Sequence, residues 1–495
     1  MATTGLMDQT SAANHMIQSQ PGPISWRRAL MLALVAVACF HAAYTPATSG
    51  LLAFGIVGYV ICLVQLARLR TTRQSFYTGL AVGFACFAPQ LECFWRIFGA
   101  GAIALWLVLA FWIGLFVALA HLTLGRFGLK RGAILVPFLW TGLEYFRSEL
   151  YYLKFSWLSL GYAFAGWPFG PFTILGGYGI GFCLVAYACV FLVSHSKSLV
   201  AAVILGLVVI PYLFVFDVVA GKRKLPERGV VVAGVQQEFP DEKQALGALN
   251  KILDLQQNPP LMKGVYFRGV TNVDMVVLSE YTLDGEPTEE LKDWCRTNQK
   301  FLIVGGRDTS PGTNYYNTAF VVSTNGEVVF KQAKSVPIQF FKDGLPAPEQ
   351  KVWDSPWGKI GICICYDLSY TRVTDELVRQ GAQMLIVPTM DVAEWGRHQH
   401  ELHARVAPVR AVEYGIPIFR LASSGISQGV SRYGVVQTSA PFPGDGEVLF
   451  FGAGRSDPRN KGSLPLDRYL APVCVGVTGI FIAWLVCGQF RGRKR

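Results

Sequence analysis

The chain has 495 residues, of which 52% are apolar, 13% aromatic and 16% charged, and it carries a formal net charge of +11. Soluble domains hold roughly 25% charged residues, so this composition excludes a purely water-soluble globule. The basic residues fall in short clusters between apolar runs, as membrane-flanking charges do, and no aromatic-studded basic stretch points to nucleic acid as a partner.

Residues 1–24 are polar, lack a periodic apolar pattern, and are expected to form a disordered cytoplasmic N-terminus. Seven apolar runs follow at about 29–45, 51–67, 76–95, 97–120, 132–148, 172–194 and 198–219, and most approach the ~20 residues that cross a bilayer as a helix. They define a transmembrane domain of seven helices over 25–220, with Pro89 and Glu92 as interior polar interruptions. An eighth transmembrane helix is expected at 470–488, followed by a basic cytoplasmic tail at 489–495. Arg27-Arg28 could open a twin-arginine export signal, but the further runs and repeated basic flanks favour an uncleaved first helix. Arg27, Arg28, Arg68, Arg70, Arg73, Arg126, Lys130, Arg131, Lys197 and the tail arginines all flank alternate ends of successive runs. By the positive-inside rule they face the cytoplasm, with both termini, and the stretch between spans seven and eight lies outside.

That stretch, 225–466, has a different texture. Short β-rich runs (Val230–Val235, Met275–Leu278, Phe301–Val304, Ala319–Val322, Lys359–Ile364, Met384–Val387) alternate with helical patterns (Asp241–Gln256, Glu289–Thr297, Thr371–Gln380, His400–Tyr414). The alternation predicts an α/β domain with its own core. Of eleven cysteines, Cys295, Cys363 and Cys365 fall in this region and the others lie in or beside apolar runs. No zinc-type spacing occurs, and no motif implies a metal or organic cofactor.

Three strand ends in this domain carry reactive side chains. Asp274-Met-Val-Val-Leu-Ser-Glu280 ends in a carboxylate, Gly326-Glu-Val-Val-Phe-Lys-Gln-Ala-Lys334 in an ammonium, and Lys359-Ile-Gly-Ile-Cys-Ile-Cys365-Tyr-Asp367 in a thiol. Chemistry gathers at the carboxyl ends of strands in α/β sheets, and a base, a cation and a nucleophile together suit covalent acyl transfer. Each residue alone would be read as a core thiol or a solvated strand-end charge; their coincidence favours the catalytic reading. Cys363 and Cys365 are expected on one strand face by the period of two, with Cys365 preferred because it ends the strand.

Ile364-Cys365-Tyr366-Asp367, with Glu280 and Lys334, resembles the Glu–Lys–Cys triad of the nitrilase superfamily. Tyr315-Tyr316-Asn317-Thr318-Ala319 and Arg410-Ala411-Val412-Glu413-Tyr414-Gly415-Ile416-Pro417, with Arg420, Gly425 and Ser427, resemble further motifs of that superfamily. Leu139-Trp140-Thr-Gly-Leu-Glu144-Tyr-Phe-Arg147 and Phe155-Ser-Trp157-Leu-Ser-Leu-Gly161-Tyr162-Ala163 resemble the spans of apolipoprotein N-acyltransferases, over about residues 25–490 in all. The family spacing favours Lys334 over the nearby Lys331. The chain departs from the family where Pro337-Ile338-Gln339-Phe340 omits a supporting glutamate, where Leu278-Ser279 precedes Glu280, and at Gln236-Gln237-Glu238 and Gln244.

The resemblance implies a multi-span α-helical membrane domain plus an extracytoplasmic nitrilase-like α-β-β-α sandwich, in a bacterial inner membrane. It further implies a cysteine-nucleophile acyltransferase with membrane phospholipid as acyl donor and a lipid-modified lipoprotein N-terminus as acceptor, acting as a monomer without cofactor. Tyr366 and Asp367 are supporting residues by the same resemblance. Glu144 and Arg147 would share a helix face and could pair, being either functional groups at membrane depth or a structural ion pair. Phe340 and Phe341, and the aromatic loop Phe155–Phe172, are candidates for dipping into the membrane interface, or for packing on the domain. The rival functions are a membrane-tethered amidohydrolase using the same triad with water and, behind it, a transporter or scaffold with a dead catalytic domain.

Overall fold

Apolar helices open the chain. In the computed structural model, which describes residues 22–45, 50–165, 170–194, 229–239, 243–257, 272–453 and 461–492, they are α1 (Trp26–Tyr44), α2 (Gly55–Leu66), α3 (Thr72–Gln90), the short α4 (Cys93–Phe98), α5 (Gly101–Tyr145) and α6 (Pro171–Val193). Four described segments are long and apolar enough to cross a membrane: Trp26–Tyr44, Gly101–Leu150, Pro171–Val193 and Asp467–Gly488. The expected third span ends at Gln90, so Glu92 stands outside the helix, exposed and paired with Arg96 at 3.2 Å. The seventh expected span, 198–219, lies outside the described residues.

α5 contains two of the expected spans. Gly128 breaks it with φ 76° and ψ 165°, a conformation only glycine adopts readily. A Cβ on Gly132 would meet the Thr123 carbonyl at 2.8 Å. Nine residues of straight helix would span ~13 Å, so the chain has turned back on itself at the Arg126–Arg131 cluster. A π-turn, Phe146–Leu150, then closes the second arm.

The second half forms strands β1 (Val231–Gln237), β2 (Met275–Val277), β3 (Phe301–Asp308), β4 (Tyr316–Val322), β5 (Val328–Ala333), β6 (Val352–Ser355), β7 (Gly358–Ile362), β8 (Met384–Thr389), β9 (Ile418–Ala422), β10 (Ser427–Val430), β11 (Val436–Ala440) and β12 (Asp445–Gly452). They make two six-stranded sheets of order β12-β1-β2-β3-β4-β5 and β11-β10-β9-β8-β7-β6. In each sheet three central strands run parallel and the flanking strands are antiparallel. Val232, Val277, Ile303 and Val321 from one sheet meet Ile360, Ile362, Ile386 and Phe419 from the other in a shared core.

Helices α7 (Lys243–Gln257) and α8 (Glu289–Asn298) cover the first sheet, burying Leu249, Ile252, Leu291 and Trp294. Helices α9 (Thr371–Arg379), α10 (Arg397–Ala404) and α11 (Val406–Tyr414) cover the second. The expected helix over 400–414 is therefore two helices. Pro408 lacks the N–H that would bond the Ala404 carbonyl, which ends the first at that point. On this side the layer is not bounded by water: Leu377, Val409 and Ile418 belong to one apolar core with Phe164, Ile180 and Val185 of the membrane half. The last helix, α12 (Asp467–Gly492), returns to that half.

Polar groups fasten the junction. Gly176 breaks α6 (φ 71°), and the freed amides of Gly177 and Tyr178 donate to Glu413 Oε1 (2.6 Å) and Asp467 Oδ2 (3.0 Å). In the other direction, Glu149 accepts the Thr371 amide at the start of α9. Each half thus satisfies orphan helix N–H groups of the other.

Candidate active site

Glu280 follows β2 at its carboxyl end, Lys334 follows β5, and Cys365 follows β7. Strands β3 and β4 stand between the first two, and the long Lys334 side chain bridges the gap. A Cβ on Gly305 of β3 would lie 2.5 Å from Glu280 Cα, so the missing side chain lets the two backbones approach. Lys334 Nζ donates to Glu280 Oε1 at 2.8 Å with both side chains almost fully buried. Lys331 instead lies on the outer face, half exposed, paired with Asp308 at 2.7 Å.

Cys365 reaches the site by leaving the strand pattern. Ile360, Ile362 and Ile364 face the inter-sheet core, while Cys363 faces the α9–α11 layer. By alternation Cys365 would follow Cys363, as the sequence expectation had it. The strand has ended at Ile362, however, and Cys365 adopts φ +52° at the start of a short 3-10 turn, which turns its side chain to the inter-sheet side. A left-handed non-glycine residue costs ~1–2 kcal/mol and persists where the surroundings hold it. Here Asp367 does so: its carboxylate accepts the amides of Ile364 (3.1 Å), Ser335 (3.1 Å) and Val336 (2.7 Å). One buried side chain therefore ties the end of the thiol strand to the end of the lysine strand. Met390 forms the third link, its amide donating to Glu280 Oε2 (2.7 Å) and its carbonyl accepting from Cys365 Sγ (3.7 Å).

Sequence reading missed Asp343. Its Oδ2 lies 2.7 Å from Lys334 Nζ and accepts the Ile338 amide at 2.8 Å, while Oδ1 accepts from Asn317 (2.9 Å) and Tyr281 (2.9 Å). Asn317 also donates to Glu280 Oε1 at 2.6 Å. Asp343 thus sets a second buried carboxylate on Lys334, a few residues past Pro337–Phe340.

These contacts set the charges. Burial would lower the Lys334 ammonium, but Glu280, Cys365 and Asp343 outweigh it and hold the group well above the ordinary lysine range. Burial raises Glu280, Lys334 opposes this, and Asp343 raises it again, for a net upward shift. Burial, and after it the Glu280 charge, push the Cys365 thiol well above the ordinary range. At rest the sulphur holds its proton within the field of the Glu280 carboxylate and the Lys334 ammonium, an arrangement that can serve as base, nucleophile and fixed cation.

Cys365 opens into a cavity of about 130 Å³. Tyr366, Trp157, Phe341 and the membrane-half residues Phe94, Phe98 and Leu109 all contribute to its wall. Phe340 and Phe341 are exposed, at 67% and 41%, and each packs edge-on against Phe98, with ring centroids 5.9 and 6.1 Å apart. Tyr366 stands edge-on to Trp157 at 5.8 Å and donates to the Lys154 carbonyl. The loop from Phe155 to Phe164 does not dip outward. Phe155, Trp157, Leu158, Leu160, Tyr162 and Phe164 are buried, because the loop is the packing layer between the two halves.

Glu144 and Arg147 stand away from Cys365, in a second, smaller pocket with Tyr59 and Trp140. They form no ion pair within 4 Å among the described residues. Glu144 Oε1 accepts the Leu160 amide at 2.9 Å, and Arg147 reaches Ser159 (3.5 Å) and the face of Phe87. Both residues bond the buried loop, at the neighbouring positions Leu160 and Ser159, rather than each other.

Comparison with known proteins adds independent information. Residues 36–190 match the apolipoprotein N-acyltransferase N-terminal domain, and residues 253–449 match the carbon-nitrogen hydrolase domain. The chain is 24% identical over 430 residues to an apolipoprotein N-acyltransferase of Shewanella oneidensis, covering 74% of this chain and 80% of that one. It is 25% identical over 432 residues to an apolipoprotein N-acyltransferase of Geobacter metallireducens, covering 74% and 79% respectively. Among solved structures, Saccharomyces cerevisiae Nit3, a nitrilase-superfamily member, aligns over 46% of this chain and 90% of its own at a TM-score of 0.37 and 20% identity.

Proposed function

The chain belongs to the apolipoprotein N-acyltransferase family, and from that membership we propose that it moves a fatty acyl chain from a membrane phospholipid, through a thioester on Cys365, to the N-terminal amine of a diacylglyceryl-cysteine lipoprotein. The observation that carries this reading is the buried Glu280–Lys334 pair at 2.8 Å, held beside Cys365 at the base of a cavity walled in part by membrane helices.

Glu280 takes the Cys365 proton as the sulphur attacks the ester carbonyl, because the thiolate is the reactive form. Lys334 and the Tyr366 backbone amide stabilise the oxyanion. As the C–O bond breaks, Glu280 returns the proton to the departing lysophospholipid oxygen, leaving the thioester and an ionised Glu280. The acceptor amine then attacks the thioester, and the sulphur leaves as the amide forms. Ping-pong kinetics follow. Tyr366 and Asp367 act as support: Tyr366 lines the acyl path, and Asp367 holds the two strand ends in register.

Membrane placement follows the same logic. Exposing an acyl chain to water costs about 0.8 kcal/mol per methylene, so the thiol must sit where the chain need not leave the bilayer. Phe340, Phe341 and Phe98 form the side of the cavity suited to that passage. The catalytic half docks on the helix ends at Tyr44, Gln90 and Glu149. The basic clusters at Arg27–Arg28, Arg68–Arg73 and Arg126–Arg131 stand at the opposite ends of those helices. Basic ends face the cytoplasm, which supports an extracytoplasmic catalytic domain over 225–466 in a bacterial inner membrane, with both chain termini cytoplasmic and seven helices over 25–220 followed by one at 470–488. We take the working unit as a monomer.

Incubating the purified protein with phospholipid and a diacylated lipopeptide tests the reading. An amide-linked third acyl chain on the lipopeptide, with stoichiometric lysophospholipid, is the expected product. Release of free fatty acid alone would replace transfer by hydrolysis.

A further inference from the structure

A second acid–imidazole pair is built into the cavity wall. Asp391 is fully buried, with Oδ1 2.8 Å from His403 Nδ1 and Oδ2 accepting from Arg420. His403 itself is 2% exposed, and its Nε2 has no hydrogen-bond partner among the described residues. Its ring is stacked on Trp157 (4.6 Å, 18°), and Trp157 is fixed in turn by its indole N–H donating to Ser369. Both His403 and Asp391 line the same cavity as Cys365 and Tyr366.

The tautomer follows from the partners. Nδ1 also lies 2.9 Å from the Arg420 guanidinium, but a carboxylate is the stronger acceptor and claims the Nδ1 proton. The lone pair then sits on Nε2. Burial lowers His403 below the ordinary histidine range, with Asp391 opposing and Arg420 and His400 adding to the shift, so the ring is neutral at neutral pH. A buried, oriented, unpaired base in the wall of the nucleophile's cavity calls for a proton to accept.

The transfer supplies one. An ester donor brings no proton that must be removed, and Glu280 alone serves that half-reaction. The acceptor amine arrives as an ammonium at neutral pH and loses two protons on becoming an amide. We propose that His403 is the second base of the reaction, taking the first of these protons at Nε2 before the amine attacks; this rests on the acyl-transfer reading above. The freed amine nitrogen bonds to the thioester carbon. Glu280 takes the second proton, and the C–S bond breaks with that proton passing to sulphur. The imidazolium, stabilised by Asp391, releases its proton to water.

The test separates the two halves of the reaction. The full-length protein is charged with phospholipid, and discharge of the acyl-enzyme is timed with a diacylated lipopeptide and, separately, with hydroxylamine, which is neutral at pH 7 and needs no base to free it. In His403→Gln, lipopeptide discharge is expected to fall about 100-fold, the usual scale of general-base assistance, while hydroxylamine discharges the variant at the wild-type rate. Added imidazole should speed lipopeptide discharge of His403→Ala. Equal loss with both nucleophiles, lipopeptide discharge at the wild-type rate, or a variant that fails to charge where the wild type succeeds would each overturn the inference. Failure of the wild type to charge would instead remove the acyl-transfer reading on which it stands.

Discussion

Asp343 Oδ2 lies 2.7 Å from Lys334 Nζ, so the lysine is shared between two buried carboxylates, Glu280 and Asp343. That sharing makes the lysine a fixed charge. Replacing Asp343 with alanine leaves the ammonium short of a partner and removes the anchor of the Ile338 amide and the Tyr281 hydroxyl. Breaking one side of a buried pair costs about 3–5 kcal/mol, so thermal unfolding in detergent should register a loss of that order, with acylation slowed. Unchanged stability would show that Asp343 does not carry the lysine.

The backbone at Cys365 provides a second check. Glycine adopts φ +52° without the cost that a Cβ brings there, so Cys365→Gly should be about 1 kcal/mol more stable than Cys365→Ala although both are inactive. Equal stability of the two variants would mean that the left-handed turn is not strained.

Glu280 must be ionised to take the thiol proton, and burial and Asp343 hold its pKa above the ordinary glutamate value. Acylation should therefore fall as pH drops through a point above the usual glutamate range, because protonation removes the base. Thioester formation timed across pH 4–8, an interval set about the ordinary carboxylate range, checks this. A rate still undiminished at pH 4 would contradict it.

Glu413 joins the two halves: it accepts the Gly177 amide of the membrane half and pairs with Arg410 and with Arg468 (3.2 Å). Glu413→Gln should destabilise the whole protein by about 3 kcal/mol and loosen the junction, which limited proteolysis would detect as faster separation of the halves. An unaltered digestion pattern would assign the junction to apolar packing alone.

Much of the catalytic fold was legible because its signals are local. The buried runs at Met275 and Met384 and the helical patterns at Glu289 and Thr371 appear within a residue or two of their expected bounds. Strands β6, β11 and β12 escaped notice because half-exposed residues break their apolar alternation, and β9 and β10, although buried, are short and carry Arg420 and Gln428 among their residues. Glu280, Lys334 and Cys365 could be named from strand ends and family motifs, yet no sequence period could place Cys365 on the inner face, since one backbone dihedral decides it. Asp343, Asp391 and His403 were missed for a related reason. Their partners come from remote turns and helices, and a lone carboxylate or histidine in a helical pattern carries no mark of what it will meet.

Intact-mass measurement of the protein after exposure to phospholipid, wild type beside Cys365→Ala, tests the central claim most directly. A fatty-acyl increment on the wild type, removed by neutral hydroxylamine and absent from the variant, is the predicted result. No adduct on the wild type, even when trapped at low temperature, or an equal adduct on Cys365→Ala, would contradict a thioester at Cys365.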